Sequence, residues 1–421
     1  MTLAAGVGAA VSSAHQVSLF NPRAPAFIAD PYPTYRRMRD EDPVHRSFMG
    51  AWVVTRYEHV KLVQRERRFS APDIPSNLRR KNEFLKRRFP GGEKNLDSLE
   101  LNLRYWFALL EDPDHSRLRG LVARTFHKRS AESLRPVIED CCAGLIERAR
   151  ARGEMDLIAD FAAELPTRVI ARILGIADEH LPQVFEWVQS TVNVLDPLQS
   201  IEAMLQIEAS SRAFMAFVRA LVQERRARPQ ADLVTALVEA RDDRSALSDD
   251  EIVSTCIQLF LTGEQTMIGL ISNGMLALLR HPDEMQRLRR DPGLLATAIE
   301  ELLRYDASMQ MGSRHLAQDV ELEGKRLRKG DQIYFVQGSA NRDPRKFVDP
   351  DRLDLSREYN PHMSLGEGRH YCVGAMLARL EAGVAFSMLL ERLPNLRLAD
   401  VPLKYDTRIT LRRLLALPLR F

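Results

Sequence analysis

One stretch sets a cysteine where a metal can be held: Ser364-Leu-Gly-Glu-Gly-Arg-His-Tyr-Cys-Val-Gly-Ala-Met-Leu-Ala-Arg379. Cys372 stands in a glycine-rich loop directly before an apolar helical run, Gly374 to Leu393. Gly366, Gly368 and Gly374 let backbone pass close to a flat, bulky group. The helix start brings free N–H groups and partial positive charge beside the sulfur, which favours thiolate over thiol. A second cluster is His115 and Arg119, four apart on an expected helix and therefore on one face, with Phe126 further along. Two such groups suit a pair of carboxylates. A third is Leu261-Thr-Gly-Glu-Gln-Thr-Met267, inside a long apolar helix. A helical glycine costs about 1 kcal/mol against alanine, so Gly263 points to close approach of another group or a local distortion. Thr266 could instead simply back-bond to the carbonyl four residues earlier. Glu301 and Arg304 are three apart, again on one helix face.

The spacing Gly-x-Gly-x-His-x-Cys-x-Gly-x-x-Leu-Ala-Arg resembles the haem-ligating loop of the cytochrome P450 family, whose iron is held by an axial cysteine thiolate. Leu365 stands where that pattern usually has Phe; the smaller aliphatic leaves the ligand in place. The resemblance implies haem b with Cys372 as the metal ligand. It would lie against Ser364, Leu365, Gly366, Gly374 and Ala378 of the loop, and against Thr262 and Gly263 of the long helix. His115, Arg119, Arg314 and His370 are implied as propionate partners, with Phe126 also at the haem. Glu301, Arg304 and Arg352 are implied as a buried network that positions the haem loop.

In the family, a Gly-x-acid-Thr segment crosses the distal haem face, where the acid and the alcohol deliver protons. Here Gln265 takes the acid's place, with Glu264 one residue earlier. Glutamine hydrogen-bonds but cannot ionise. Thr266, Glu264 and Gln265 are the expected catalytic residues, with Glu264 or water supplying what Gln265 cannot. Leu261, Thr262, Met309, Met311 and Ile409 are expected to line a mostly apolar substrate pocket.

The elements that must position these groups are mainly helical. Periodicity predicts helices over roughly 115–127, 131–151, 158–175, 179–194, 200–227, 248–280 and 292–306. Strand-like alternation falls at Ala51-Trp-Val-Val-Thr, at 320–336 around turns at Gly324 and Gly330, and in short pieces from Leu403 to Leu419. The polar span 70–100, broken by Pro72, Pro75, Pro90 and Gly91-Gly92, reads as a long loop with a short helix near Lys81 to Arg88. The expected fold is mainly α with small β-sheets, the cytochrome P450 fold. Residues 1–20 are expected to be a disordered tail and 21–421 one haem domain.

Composition excludes several classes. A net charge of +3 with scattered arginines gives no nucleic-acid footprint. No stretch approaches the ~20 apolar residues of a membrane span, and the opening residues lack a signal-peptide pattern. Four cysteines, two of them adjacent at Cys141-Cys142, make no disulfide framework and suit a reducing cytoplasm. The resemblance implies a monooxygenase that inserts one oxygen atom from O2 into a hydrophobic small molecule, by hydroxylation or epoxidation, in bacterial secondary metabolism. No flavin or dinucleotide fingerprint is present, so electrons are expected from a ferredoxin and its reductase. These would dock on a basic patch of Arg117, Arg124, Lys128 and Arg369. A monomer is expected. Two other readings stand beside this one: a haem-thiolate enzyme of unusual reaction type (oxidative coupling, nitration or peroxygenation), and a non-enzymatic helper of the same fold. The intact Cys372 loop argues against the helper.

Overall fold

The helix Asp249–Arg280 is apolar on all sides and is buried accordingly. Between Glu251 and Leu278 only Thr262, Gly263 and Thr266 escape burial. Ser248 starts it with a capping box to Glu251. The computed structural model describes residues 19–92, 94–125, 132–195, 199–240 and 246–421. Around the central helix pack Glu164–Ile173, Ile201–Ala227, Leu295–Tyr305 and Ala375–Arg392. Side chains from Arg135–Arg150, the central helix and Ala375–Arg392 share the largest apolar core. A further helix, Pro282–Arg290, which the periodicity did not separate, links Asp249–Arg280 to Leu295–Tyr305.

A five-stranded sheet flanks the helices, in the order Val44–Arg46, Trp52–Val54, Gln332–Phe335, Gly312–Leu316, Phe69–Ser70. Its one parallel pair is Trp52–Val54 with Gln332–Phe335. Val320–Leu322 and Lys325–Leu327 form a hairpin whose turn, Glu323-Gly324, has positive φ at both residues, the geometry that matches strand twist. The chain's end, Pro418–Arg420, pairs with Glu154–Asp156 and Arg397–Leu398. The mainly α architecture with small sheets is as the sequence predicts. Among the described residues, no helix is long and apolar enough to cross a membrane.

Three expectations need correction. The span read as a loop with a short helix near Lys81 to Arg88 contains that helix, which starts earlier and spans Ile74–Arg88, and a second one, Asp97–Arg104. Pro75 sits in the first turn, where its missing N–H costs nothing, and Leu78, Asn82 and Leu85 supply a buried stripe. Asn82 disguised that stripe: it is buried because it donates to Asp97 and Glu100 and accepts from the Leu96 N–H. The tail expected over residues 1–20 ends earlier, since Phe20 is fully buried with its ring edge-on to Phe27; residues 1–18 lie outside the described part.

The third correction concerns the ion-pair network. Glu301 and Arg304 are fully buried and joined by two 2.8 Å hydrogen bonds. The cation that joins them on Glu301 is Arg357, at 3.1 Å, not Arg352. Arg352 is exposed and contributes only its carbonyl, which accepts from Arg304. A guanidinium also donates to backbone carbonyls, and Arg304 uses the Arg352 carbonyl in this way without calling on its charge. Replacing Arg357 by Ala should therefore lower stability by about 1–3 kcal/mol, because Glu301 loses a buried charged partner. Arg352→Ala should stay within about 0.5 kcal/mol. Urea midpoints of the two variants decide it; equal losses would restore Arg352 to the network.

Candidate active site

The Cys372 loop is hung from the buried pair. Arg304 donates to the Asn341 carbonyl at 2.9 Å. The Asn341 side chain accepts from the Met363 N–H and donates to Ser364 Oγ, both at 2.8 Å. Ser364 Oγ in turn donates to the Leu303 carbonyl, on the helix that carries Arg304. The loop then turns through Gly366 and Gly368, both at positive φ, and the Cys372 N–H closes back onto the Leu365 carbonyl at 2.8 Å.

Cys372 lines a cavity of about 400 Å³ walled mainly by apolar side chains. Ser364, Leu365, Gly366, His370, Gly374 and Ala378 line it from the loop and the following helix, and Arg119 and Arg314 also border it. Thr262, Gly263 and Thr266, the three unburied residues between Glu251 and Leu278 of the central helix, line the same cavity. A Cβ on Gly374 would meet nothing within 4 Å, so this glycine looks onto open cavity. Gly263 has a different reason: a Cβ there would come within 2.9 Å of Ile170 Cδ1. The helix runs through Gly263 without interruption.

Three cationic or hydrogen-bonding groups, Arg119, Arg314 and His370, border this space, and His115 lies against His370 without lining it. The His115 and His370 rings lie 4.3 Å apart. Both His115 ring nitrogens and His370 Nε2 are buried without a hydrogen-bond partner among the described residues; the Asp112 carboxylate is 3.7 Å from His115 Nδ1. Arg119 donates to the Tyr371 carbonyl. Arg314 donates to the Ser313 carbonyl and lies over the Phe335 ring. Burial, reinforced by the nearby Arg369 charge, pushes Arg314 down to about 10. Burial and the neighbouring cations push His370 down to about 3. Buried donors and cations without an anion fit an incoming group that carries carboxylates.

The sulfur behaves differently from expectation. Burial pushes the Cys372 thiol up, outweighing the Gly374 N–H, Arg119 and Arg379. The helix start does not make the thiolate by itself; a bound metal cation would have to.

Glu264 and Gln265 do not face the cavity. At 100° per residue, placing 262, 263 and 266 on one face turns 264 and 265 away from it. Glu264 accepts from Gln189, from Gln265 at 2.8 Å and from Thr167 at 3.5 Å. Gln265 accepts from Arg408, which pairs with Asp406. Thr266 donates to the Thr262 carbonyl at 3.0 Å, the helix back-bond. Met309 lines the cavity. Leu261 is packed in the core behind the helix, Met311 is buried beside Phe20 and Tyr35, and Ile409 is not part of the cavity wall. Phe126 and Lys128 lie outside the described residues. Of the expected basic patch, Arg117 pairs with Glu251 and Arg369 with Glu111.

Sequence reasoning missed Glu381 in the cavity wall, with Oε1 unpartnered and its carboxyl raised by burial to about 8. A carboxylate in the middle of the apolar run after Cys372 was the available signal.

The cytochrome P450 family model matches residues 70–292 and 293–413. The chain belongs to the cytochrome P450 family. It is 35% identical over 398 residues to the biotin biosynthesis cytochrome P450 of Bacillus subtilis, covering 94% of this chain and 97% of that one. It is 35% identical to the 6-deoxyerythronolide B hydroxylase of Saccharopolyspora erythraea, over 89% of this chain and 91% of that one. The structure of P450BioI in complex with hexadec-9Z-enoic acid ligated acyl carrier protein superimposes with a TM-score of 0.85 at 35% identity, over 94% of this chain and 99% of that one. The protein is a cytochrome P450 monooxygenase, and its family carries haem on a cysteine thiolate.

The Glu264 cluster gives a pH prediction. Burial pushes Glu264 up to about 7, against hydrogen bonds from Gln265, Gln189 and Thr167 and the Arg413 charge. The folded state thus holds the proton more tightly than the unfolded chain, whose carboxyl titrates near ~4.3. The contribution is complete below that value and is lost as pH rises through 7. Between pH 5 and pH 8, Glu264→Gln should gain roughly 1–3 kcal/mol relative to wild type. Parallel urea midpoints at the two pH values would refute it.

Proposed function

We propose that the enzyme binds haem b through Cys372, with His115, Arg119, Arg314 and His370 taking the propionates, and oxidises a long, apolar acyl chain by hydroxylation or epoxidation. The observation that carries this reading is the shared cavity: Cys372 and the only unburied residues of the central helix between Glu251 and Leu278 border the same apolar space. The substrate class is supported by the apolar lining, which includes Phe107, Ile170, Leu259 and Met309, and by likeness to the relative whose structure holds a hexadecenoic acid chain. We place the reaction in bacterial secondary metabolism, in one haem domain spanning 21–421, as a monomer in the cytoplasm. A ferredoxin with its reductase supplies electrons.

Bound haem supplies the iron on which dioxygen is reduced. The chain's own residues do the rest. Cys372 would supply the sulfur ligand to the metal. The orphaned His115 and His370 nitrogens, with Arg119 and Arg314, would hold the group's carboxylates. Apolar side chains exclude water and hold the substrate chain. Thr266 holds a proton at Oγ1, at present donated to the Thr262 carbonyl; rotation about its Cα–Cβ bond turns that proton toward the cavity. Glu264 and Gln265, on the far face, brace the central helix against Gln189 and Arg408 and do not relay protons.

Thr266→Ala should therefore lower product formed per electron pair at least about tenfold, with substrate binding retained. Glu264→Gln should leave that ratio within about twofold. Product and peroxide are measured together in a reconstituted ferredoxin system. A large loss in Glu264→Gln with Thr266→Ala unaffected would reverse the assignment.

A further inference from the structure

The helix Ile74–Arg88 carries six lysines and arginines against one acid, Glu83. Its charges are not uniformly used. On the flank facing Asp97–Arg104, Arg79 pairs with Glu100 and Lys86 with Asp97. The outward stripe is different. Arg80, Lys81, Phe84, Arg87 and Arg88 fall within one third of the helix circumference, outside the sector that buries Leu78, Asn82 and Leu85. Arg80, Lys81 and Arg88 have no ion-pair partner among the described residues, and the nearest carboxylate of Arg87 is a loose 4.0 Å away. Phe84, at the centre, belongs to no apolar core and is 57% exposed. Lys81 reaches Met204 at 3.6 Å, which sets the stripe beside the start of Ile201–Ala227 and its exposed Ile201.

An exposed aromatic ringed by arginines and lysines is the make-up of a protein-binding surface for an acidic partner. Its position gives the partner's role. Pro72, two residues before the helix, lines the cavity, and Phe84 lies about 15 Å along the axis from the helix start. A small carboxylic acid needs one cation; a stripe this long is matched to a macromolecule.

We propose that this stripe docks an acidic carrier protein that delivers the acyl substrate into the cavity on a flexible arm. The inference rests on the acyl-chain reading given above. Haem-loaded enzyme is titrated with an acidic acyl carrier protein bearing a hexadecenoyl chain and, separately, with free hexadecenoic acid. Calorimetry reports docking, and the haem band reports entry. The combined Arg80→Glu, Lys81→Glu and Arg87→Glu variant should bind the loaded carrier at least about tenfold more weakly than wild type at low salt, the gap closing toward about 0.5 M salt. Phe84→Ser should weaken it as well, and free acid should bind all forms alike. Unchanged carrier affinity overturns the proposal. So does a variant that keeps carrier binding but loses ferredoxin-supported turnover of free acid, or loses only its affinity for phosphatidylglycerol vesicles. If carrier binding follows the stripe while free acid leaves the wild-type haem band unmoved, docking stands and the acyl-chain reading falls.

Discussion

A fully desolvated ion pair governs this architecture. Arg304 and Glu301 lie at zero exposure, where an unpaired charge would be prohibitively costly. Every donor of the guanidinium that the structure resolves is therefore matched, to Glu301 and to the carbonyls of Asn341, Pro350 and Arg352. Glu301 accepts in turn from the Asp354 N–H, Arg357 and Asn360. These bonds pin an irregular stretch of chain that has little regular structure of its own. The stretch leads directly into the metal-binding loop, so the sulfur's position is inherited from the pair. Arg379, seven residues past Cys372, adds a second clamp by holding Glu300 with two bonds of 2.6 and 2.8 Å.

The central helix imposes the other constraint. A helix buried on every side can present only one narrow face to a cavity, and here that face runs from Gln258 and Leu259 through Thr262 and Gly263 to Thr266 and Met267. The polar residues between them must find partners in the protein interior. Glu264 and Gln265 do so through Gln189, Thr167 and Arg408, which ties the central helix to Leu181–Thr191 and to the chain's last loop. Gln265 is thus suited to its place because an amide donates to Glu264 and accepts from Arg408 at once. A carboxylate could not donate to Glu264 unless protonated.

Likeness to relatives agrees with the geometry at different depths. The family match and the fold follow from the same buried pair, cysteine loop and central helix. The outward stripe of Ile74–Arg88 lies outside these features and touches neither the sulfur loop nor the buried network. Surface charge of that kind steers partners without altering the fold.

Some of this was readable directly from the chain. Helices with long 3.6-residue apolar periods, the spacing around Cys372 and the Glu301–Arg304 interval are local patterns, and local backbone geometry alone puts such residues side by side. The hairpin at Glu323-Gly324 is equally local. Other features depended on partners far away in sequence. Asn82 reads as a loop residue until Asp97, Glu100 and Leu96 supply its bonds, and with it the first half of the helix Ile74–Arg88 was hidden. Whether Glu264 faced the cavity or the interior could not follow from its spacing, because a helix's rotation is set by what packs around it. Arg357 displaced Arg352 for the same reason: side-chain reach in an irregular loop is decided by how the loop folds. The sequence by itself determined which chemistry the chain can hold, since residue type and helical spacing are fixed covalently. Tertiary structure decided which polar groups meet the cavity and which brace the core, because burial requires each to find a partner that only the folded chain provides.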